Sequence, residues 1–105
     1  MNIINLTPHL VRLPNGRDVL PSGYISRLNV VQSQVDILDG VPILESQAVK
    51  TVNLPDVEQD TYYIVPALVR CAMPARRDLL SPSKLLRDAN GTIIGCAALE
   101  RNPKI

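Results

Sequence analysis

Val35-Asp36-Ile37-Leu38-Asp39-Gly40-Val41-Pro42-Ile43-Leu44 reads as two apolar runs folded back on an Asp-Gly turn. Asp followed by Gly tolerates the two positive φ angles of a two-residue hairpin turn, and the flanking β-branched residues suit a pleated ribbon. Pro42 has no N–H to give to a ladder, so the second strand is expected at an edge. The reading is therefore a β-hairpin, and the rest of the chain carries the same signature.

Working outward, Asn90-Gly91 marks a second hairpin between Leu85-Leu86-Arg87 and Thr92 to Leu99. Pro14-Asn15-Gly16 marks a third, between His9–Leu13 and Arg17–Leu20. Asn2–Leu6, Tyr24–Gln34 and Ala48–Leu54 read as further strands, the second with a bulge. Thr61–Val65 is the most apolar strand and is expected to be central. Pro66 suits the start of a helix, where its missing N–H costs nothing, and Ala67–Met73 is expected to be helical up to Pro74. Arg76–Leu80 is expected as a loop or single turn, and Arg101–Ile105 as a loose tail. The fold class that follows is α+β: one domain over residues 1–105, with a small, mostly antiparallel sheet or partly open barrel and one or two short helices.

Composition agrees. The chain has 105 residues, no Phe or Trp, three Tyr and nine Pro. Its core has to come from Val, Ile and Leu, and its prolines work against long helices. A domain this small is marginal alone, so a homodimer is expected. No apolar run reaches membrane-spanning length, and the N-terminus has no leader pattern, so the expected setting is the cytoplasm of a bacterial host cell with no membrane partner. Cys71 and Cys96 are expected as reduced, mostly buried thiols. One histidine and two cysteines supply too few ligands for a structural metal site, and nothing calls for a cofactor.

A net charge of +1 gives no reason to expect duplex nucleic acid as partner. The charge is unevenly placed, however. Residues 1–69 carry four cations against seven anions, whereas 70–105 carry seven against three. Arg70, Arg76, Arg77 and Arg87 cluster after the expected central strand. A guanidinium fork matches the oxygens of phosphate or carboxylate, and Asp78 and Ser81 lie in the same run to orient an arginine or add a hydroxyl. Thr7 and His9, with Pro8 fixing the backbone between them, form the second candidate element. These eight residues (Thr7, His9, Arg70, Arg76, Arg77, Asp78, Ser81 and Arg87) are the expected ligand-binding set. The competing reading is a solvated, ion-paired loop and a structural histidine. No G-x-S-x-G, P-loop, G-x-G-x-x-G or H-E-x-x-H motif occurs, and both cysteines sit in apolar surroundings that keep a thiol inert, so no catalytic residue is assigned.

Asn5-Leu6-Thr7-Pro8-His9 near the N-terminus forms a recognisable set with Tyr63-Ile64-Val65-Pro66, Arg77-Asp78-Leu79-Leu80-Ser81-Pro82, Arg87-Asp88-Ala89-Asn90-Gly91 and Ile94-Gly95-Cys96. It resembles a group of small uncharacterised bacterial and phage proteins. The resemblance covers the first dozen residues and about residues 61–97, and implies a phage or prophage context. In that context the leading expectation is non-catalytic binding of a small anionic ligand: sequestration of a nucleotide or phosphorylated signal as an anti-defence function. The alternatives are a protein-interaction module that uses the edge strand near Val41–Leu44, and a hydrolase or transferase acting on a nucleotide-like substrate.

Overall fold

Thr61-Tyr62-Tyr63-Ile64 is the strand around which the structure assembles. The computed structural model describes residues 1–104. Its strands are β1 (Asn2–Asn5), β2 (Val11–Arg12), β3 (Asp18–Val19), β4 (Arg27–Leu38), β5 (Val41–Val52), β6 (Thr61–Ile64), β7 (Leu79–Arg87) and β8 (Ile93–Arg101), with α1 (Ala67–Ala72) between β6 and β7. The main sheet has the order β1-β6-β7-β8, so the strand expected to be central lies inside the sheet. The two hairpins β2–β3 and β4–β5 form separate two-stranded sheets.

The fold is thus β-rich with one short helix among the described residues. Two finer expectations change. The main sheet is mixed, because β6 runs parallel to both β1 and β7, and only β7–β8 is antiparallel. The strands form no barrel: they stay in three sheets, with the largest four-stranded. A parallel neighbour needs a crossover, and α1 supplies the one from β6 to β7.

Successive residues of β6 serve opposite faces of the sheet. Tyr63 packs with Leu6, Val65, Val69 and Leu79, and Leu28 from the foot of β4 closes that side. Ile64 packs on the other face with Val11, Val19 and Cys96, beneath the β2–β3 hairpin. Both faces of a short sheet are therefore covered without any aromatic residue but tyrosine.

The Asp39-Gly40 turn forms as expected, with φ of 52° and 78° at its two central residues. The hairpin it closes is longer than the reading above allows. Tyr24–Gln34 and Val35–Leu38 merge largely into the single strand β4, and Val41–Leu44 runs on through Ala48 into β5. Two bulges absorb the breaks in pattern, one at Val35 and one at Val49. Each strand is 12 residues long. Beyond its foot the ribbon is exposed, and the Cα radius of gyration is 16.5 Å where a compact chain of this length has about 13 Å.

The start of the C-terminal tail is fixed. β8 runs to Arg101, and the side chain of Asn102 is buried at the centre of a polar knot. Arg76–Leu80 is only partly a loop, since β7 begins at Leu79. Cys96 is buried as expected, but Cys71 is exposed on α1, and both are free thiols. Among the described residues, no helix is long and apolar enough to cross a membrane.

Candidate functional site

Two concavities divide the expected binding residues between them. The larger is an open groove of about 980 Å³, bounded by the Thr7–Arg12 segment, the Val65-Pro66-Ala67 corner and the outer half of the β7–β8 hairpin. Thr7, His9, Ser81 and Arg87 line it. The smaller, about 360 Å³, is lined by Arg76, Arg77 and Asp78, together with Glu58, Asp60 and Arg101. Arg70 lines neither.

Asn5 shapes the near wall of the groove. Its side-chain Oδ1 accepts from the Thr7 N–H at 2.9 Å and from Thr7 Oγ at 2.6 Å, and its Nδ2 donates to the carbonyls of His9 and Val19. This fold-back, stiffened by Pro8, places the exposed His9 ring on the groove rim. The Thr7 hydroxyl is thereby committed internally.

The far wall is the β7–β8 turn. Asp88 Oδ1 accepts from the N–H groups of Asn90 and Thr92, at 2.9 and 3.0 Å. Arg87 Nη1 donates to the Gly91 carbonyl at 3.0 Å, which holds the guanidinium over the turn and leaves its other N–H groups toward solvent. Arg12, on β2, adds a second guanidinium to the lining; its contact with Asp18 is long, at 3.9 Å between exposed groups, and holds it weakly. The floor is apolar: Leu10, Val11, Pro82, Leu85, Ile93 and Ile94. Among the described residues, no carboxylate lines the groove. Cys96 Sγ is buried and donates to the Arg12 carbonyl at 3.4 Å, so it joins walls rather than presenting a nucleophile.

Arg70, Arg76 and Arg77 are occupied elsewhere. Arg70 is buried; its Nε donates to Ser81 Oγ at 2.8 Å and its Nη1 to Asn102 Oδ1 at 3.0 Å, with Glu100 at 3.6 Å. Arg76 grips Asp78 through two bonds of 2.8 Å and reaches the Pro55 carbonyl. That hydrogen-bonded guanidinium holds the Asp78 carboxyl below its ordinary value, overriding burial, which pushes it up. Arg77 Nη1 donates to the Asn102 carbonyl. The arginine run is therefore an internal brace around α1 and the end of β8. The smaller cleft, with three guanidiniums against three carboxylates, has no charge preference.

The sequence reading missed Arg12 and the apolar floor. Arg12 lies outside the basic C-terminal third, and only the docking of β2 beside β8 brings it near Arg87. The floor residues read as ordinary strand positions, although the weak alternation of Ile93 and Ile94 marks two apolar neighbours that a single sheet face cannot bury.

Comparison with protein-family models, curated proteins and solved structures gives no match to this chain. The expected resemblance to small bacterial and phage proteins therefore rests on its motifs alone.

Proposed function

We propose that the chain binds, without turning over, a small molecule that joins a flat apolar body to an anionic group, a nucleotide being the chemistry that fits best. One observation carries this reading: the larger groove pairs an apolar floor with His9, Arg12 and Arg87 and, among the described residues, has no carboxylate in its lining. A base or other ring covers Leu85, Ile93 and Ile94, and a phosphate meets the guanidiniums at the rim. Within the expected set, this retains Thr7 and His9 as the shaped wall and Arg87 as an anion contact. It adds Arg12, and it reassigns Arg70, Arg76, Arg77 and Asp78 to the scaffold. Ser81 accepts from Arg70 at the groove's edge and links the two.

Holding rather than reacting is favoured by the lining itself, which offers no acid–base carboxylate pair and no accessible thiol. In the phage setting that the motif resemblance implies, such a protein would withdraw a nucleotide signal from its host receptor.

Calorimetry with nucleoside monophosphates, cyclic dinucleotides and the parent nucleosides tests the proposal. Binding is expected only for phosphorylated members, and Arg87→Ala is expected to weaken it by roughly ten- to a hundredfold, the worth of one charge-assisted contact. The proposal fails if no phosphorylated ligand binds, or if Arg87→Ala leaves affinity unchanged. Ligand recovered intact after heat release supports holding; new products in that fraction would establish turnover instead.

A further inference from the structure

The chain has five glycines, and the backbone accounts for four of them. Gly16, Gly23, Gly40 and Gly91 have φ between 78° and 98°, with nothing beyond their chain neighbours within 4 Å of where a Cβ would stand. They answer to turn geometry. Gly95 differs on both counts. Its φ is one that any L residue adopts, and a Cβ there would lie 3.5 Å from both the Cβ and the carbonyl oxygen of Arg12. A glycine inside a strand often marks the close approach of another backbone, and here the approaching residue is Arg12.

Cys96, the next residue of β8, meets the same group. Its buried Sγ donates to the Arg12 carbonyl at 3.4 Å. Two consecutive residues of β8 thus hold one residue of β2 by its carbonyl and its Cβ. Nothing comparable holds the Arg12 side chain farther out: it is exposed, and its 3.9 Å contact with Asp18 is too long and too open to fix it.

We propose that Gly95 and Cys96 are positioning residues for ligand binding: they seat Arg12 so that its guanidinium and that of Arg87 serve the same groove. The inference rests on the reading of the larger groove given above, and it names what places one of that groove's two guanidiniums. Gly95 is two residues along β8 from Ile93, the register partner of Arg87. The seat therefore brings a cation from the N-terminal part of the chain to the stretch of β8 that faces Arg87, and both arginines line the groove. Guanidinium–phosphate bonds are directional, so a displaced Arg12 loses them even if its charge stays nearby. A single methyl at position 95 would touch Arg12 at ordinary contact distance. Branching at Cβ adds further carbons to that contact, and β2 has to move off.

The competing role is packing alone. In that case Gly95 only lets the β2–β3 hairpin cover the core of Val11, Val19, Ile64 and Cys96. A substitution would then change stability without acting through Arg12.

Calorimetry on the full chain at two salt concentrations, with the nucleoside monophosphates and cyclic dinucleotides as probes, separates the two. Affinity is expected to fall by a few fold in Gly95→Ala and by about tenfold or more in Gly95→Val, the second matching Arg12→Ala. In the Arg12→Ala background, Gly95→Val is expected to cost less than about twofold further, because the group it positions has gone. Gly95→Val should also make affinity less sensitive to salt, to the same degree as Arg12→Ala, since each loses one cationic contact. Cys96→Ala, which removes the Sγ–H donor, is expected to weaken binding in the same direction. Far-UV circular dichroism checks that each variant keeps its strands. Should Gly95→Val not fold, the comparison in the Arg12→Ala background is made with Gly95→Ala and Cys96→Ala instead. Undiminished affinity in a folded Gly95→Val overturns the inference and leaves the groove reading standing. A fully additive loss in the double variant does the same, because Gly95 would then act on the groove without Arg12. If no probe binds the wild-type chain, the groove reading itself fails and this inference fails with it.

Discussion

The side-chain amide of Asn102 accepts from the buried Arg70 guanidinium at 3.0 Å while donating into the open end of the helix that carries Arg70. Its Nδ2 lies within 2.8–3.0 Å of the carbonyls of Arg70, Met73 and Arg76. One residue near the C-terminus thus ties together the Arg70 carbonyl in the last turn of the helix and the Met73 and Arg76 carbonyls just beyond it, and it is held in turn by Arg77 through its own carbonyl.

Asn102→Ala is expected to destabilise the fold by about 3 kcal/mol, since it removes a buried donor shared by three carbonyls and leaves part of a buried guanidinium without a partner. Urea denaturation should show a lower midpoint at unchanged slope. Asn102→Asp tests the division of labour: it keeps the acceptor for Arg70 and loses the donor to the helix end, so it should fall between wild type and alanine. A change of under about 0.5 kcal/mol for the alanine variant would mean that the knot is dispensable.

This knot shows why the site was only partly legible in the sequence. Asp39-Gly40 and Asn90-Gly91 declared their turns because a two-residue turn is a local matter of φ. Thr61–Val65 declared a buried strand because both of its faces are apolar. The arginine cluster was equally visible, and so was Asp78 beside Arg76, the competing ion-paired reading. What occupies the rest was not: Ser81, Asn102 and the Pro55 carbonyl, which take up the remaining guanidinium N–H groups, lie 11 to 32 positions away. The parallel pairing of β1 with β6 is likewise invisible locally, because some 55 residues of other structure intervene. The ribbon's length was obscured by its bulges, each of which breaks the period-two pattern on which strand reading depends.

The Arg76–Asp78 pair predicts an acid limb in stability. Asp78's folded pKa lies below its ordinary value of 3.8. Its contribution is therefore complete above that value and is lost as pH falls through the lower, folded one. Urea midpoints from pH 7 to pH 2.5 should fall at the acid end. In Asp78→Asn, which is already less stable at pH 7, the gap to wild type should narrow over that window. A gap that stays constant from pH 7 to pH 2.5 would show that the carboxylate charge contributes nothing.

Ser26 offers the opposite test. Its backbone N–H bonds to the Leu6 carbonyl at 2.8 Å, but its fully buried hydroxyl has no hydrogen-bond partner among the described residues. Burying an unsatisfied hydroxyl costs free energy, so Ser26→Ala is expected to stabilise the fold by about 1 kcal/mol, which thermal denaturation would report as a rise of several degrees. A destabilised variant would show that the hydroxyl is satisfied in solution.

The ribbon is attached to the body through its foot, which makes a last prediction about what it is for. Leu28 is its apolar contact with the core, and Asn53 Nδ2 ties the end of β5 back to the Ile25 carbonyl at 3.1 Å. Excising residues 31–47 and joining Val30 to Ala48 through Asn-Gly keeps both attachments and supplies a hairpin turn. The shortened chain should unfold within about 1 kcal/mol of the full-length one, because the removed residues bury little against the body and a shorter closed loop costs slightly less entropy. Calorimetry on the shortened chain then locates the site: nucleotide binding that survives excision assigns the groove to the body alone. A body that unravels without the ribbon would mean that residues beyond Leu28 hold the core together.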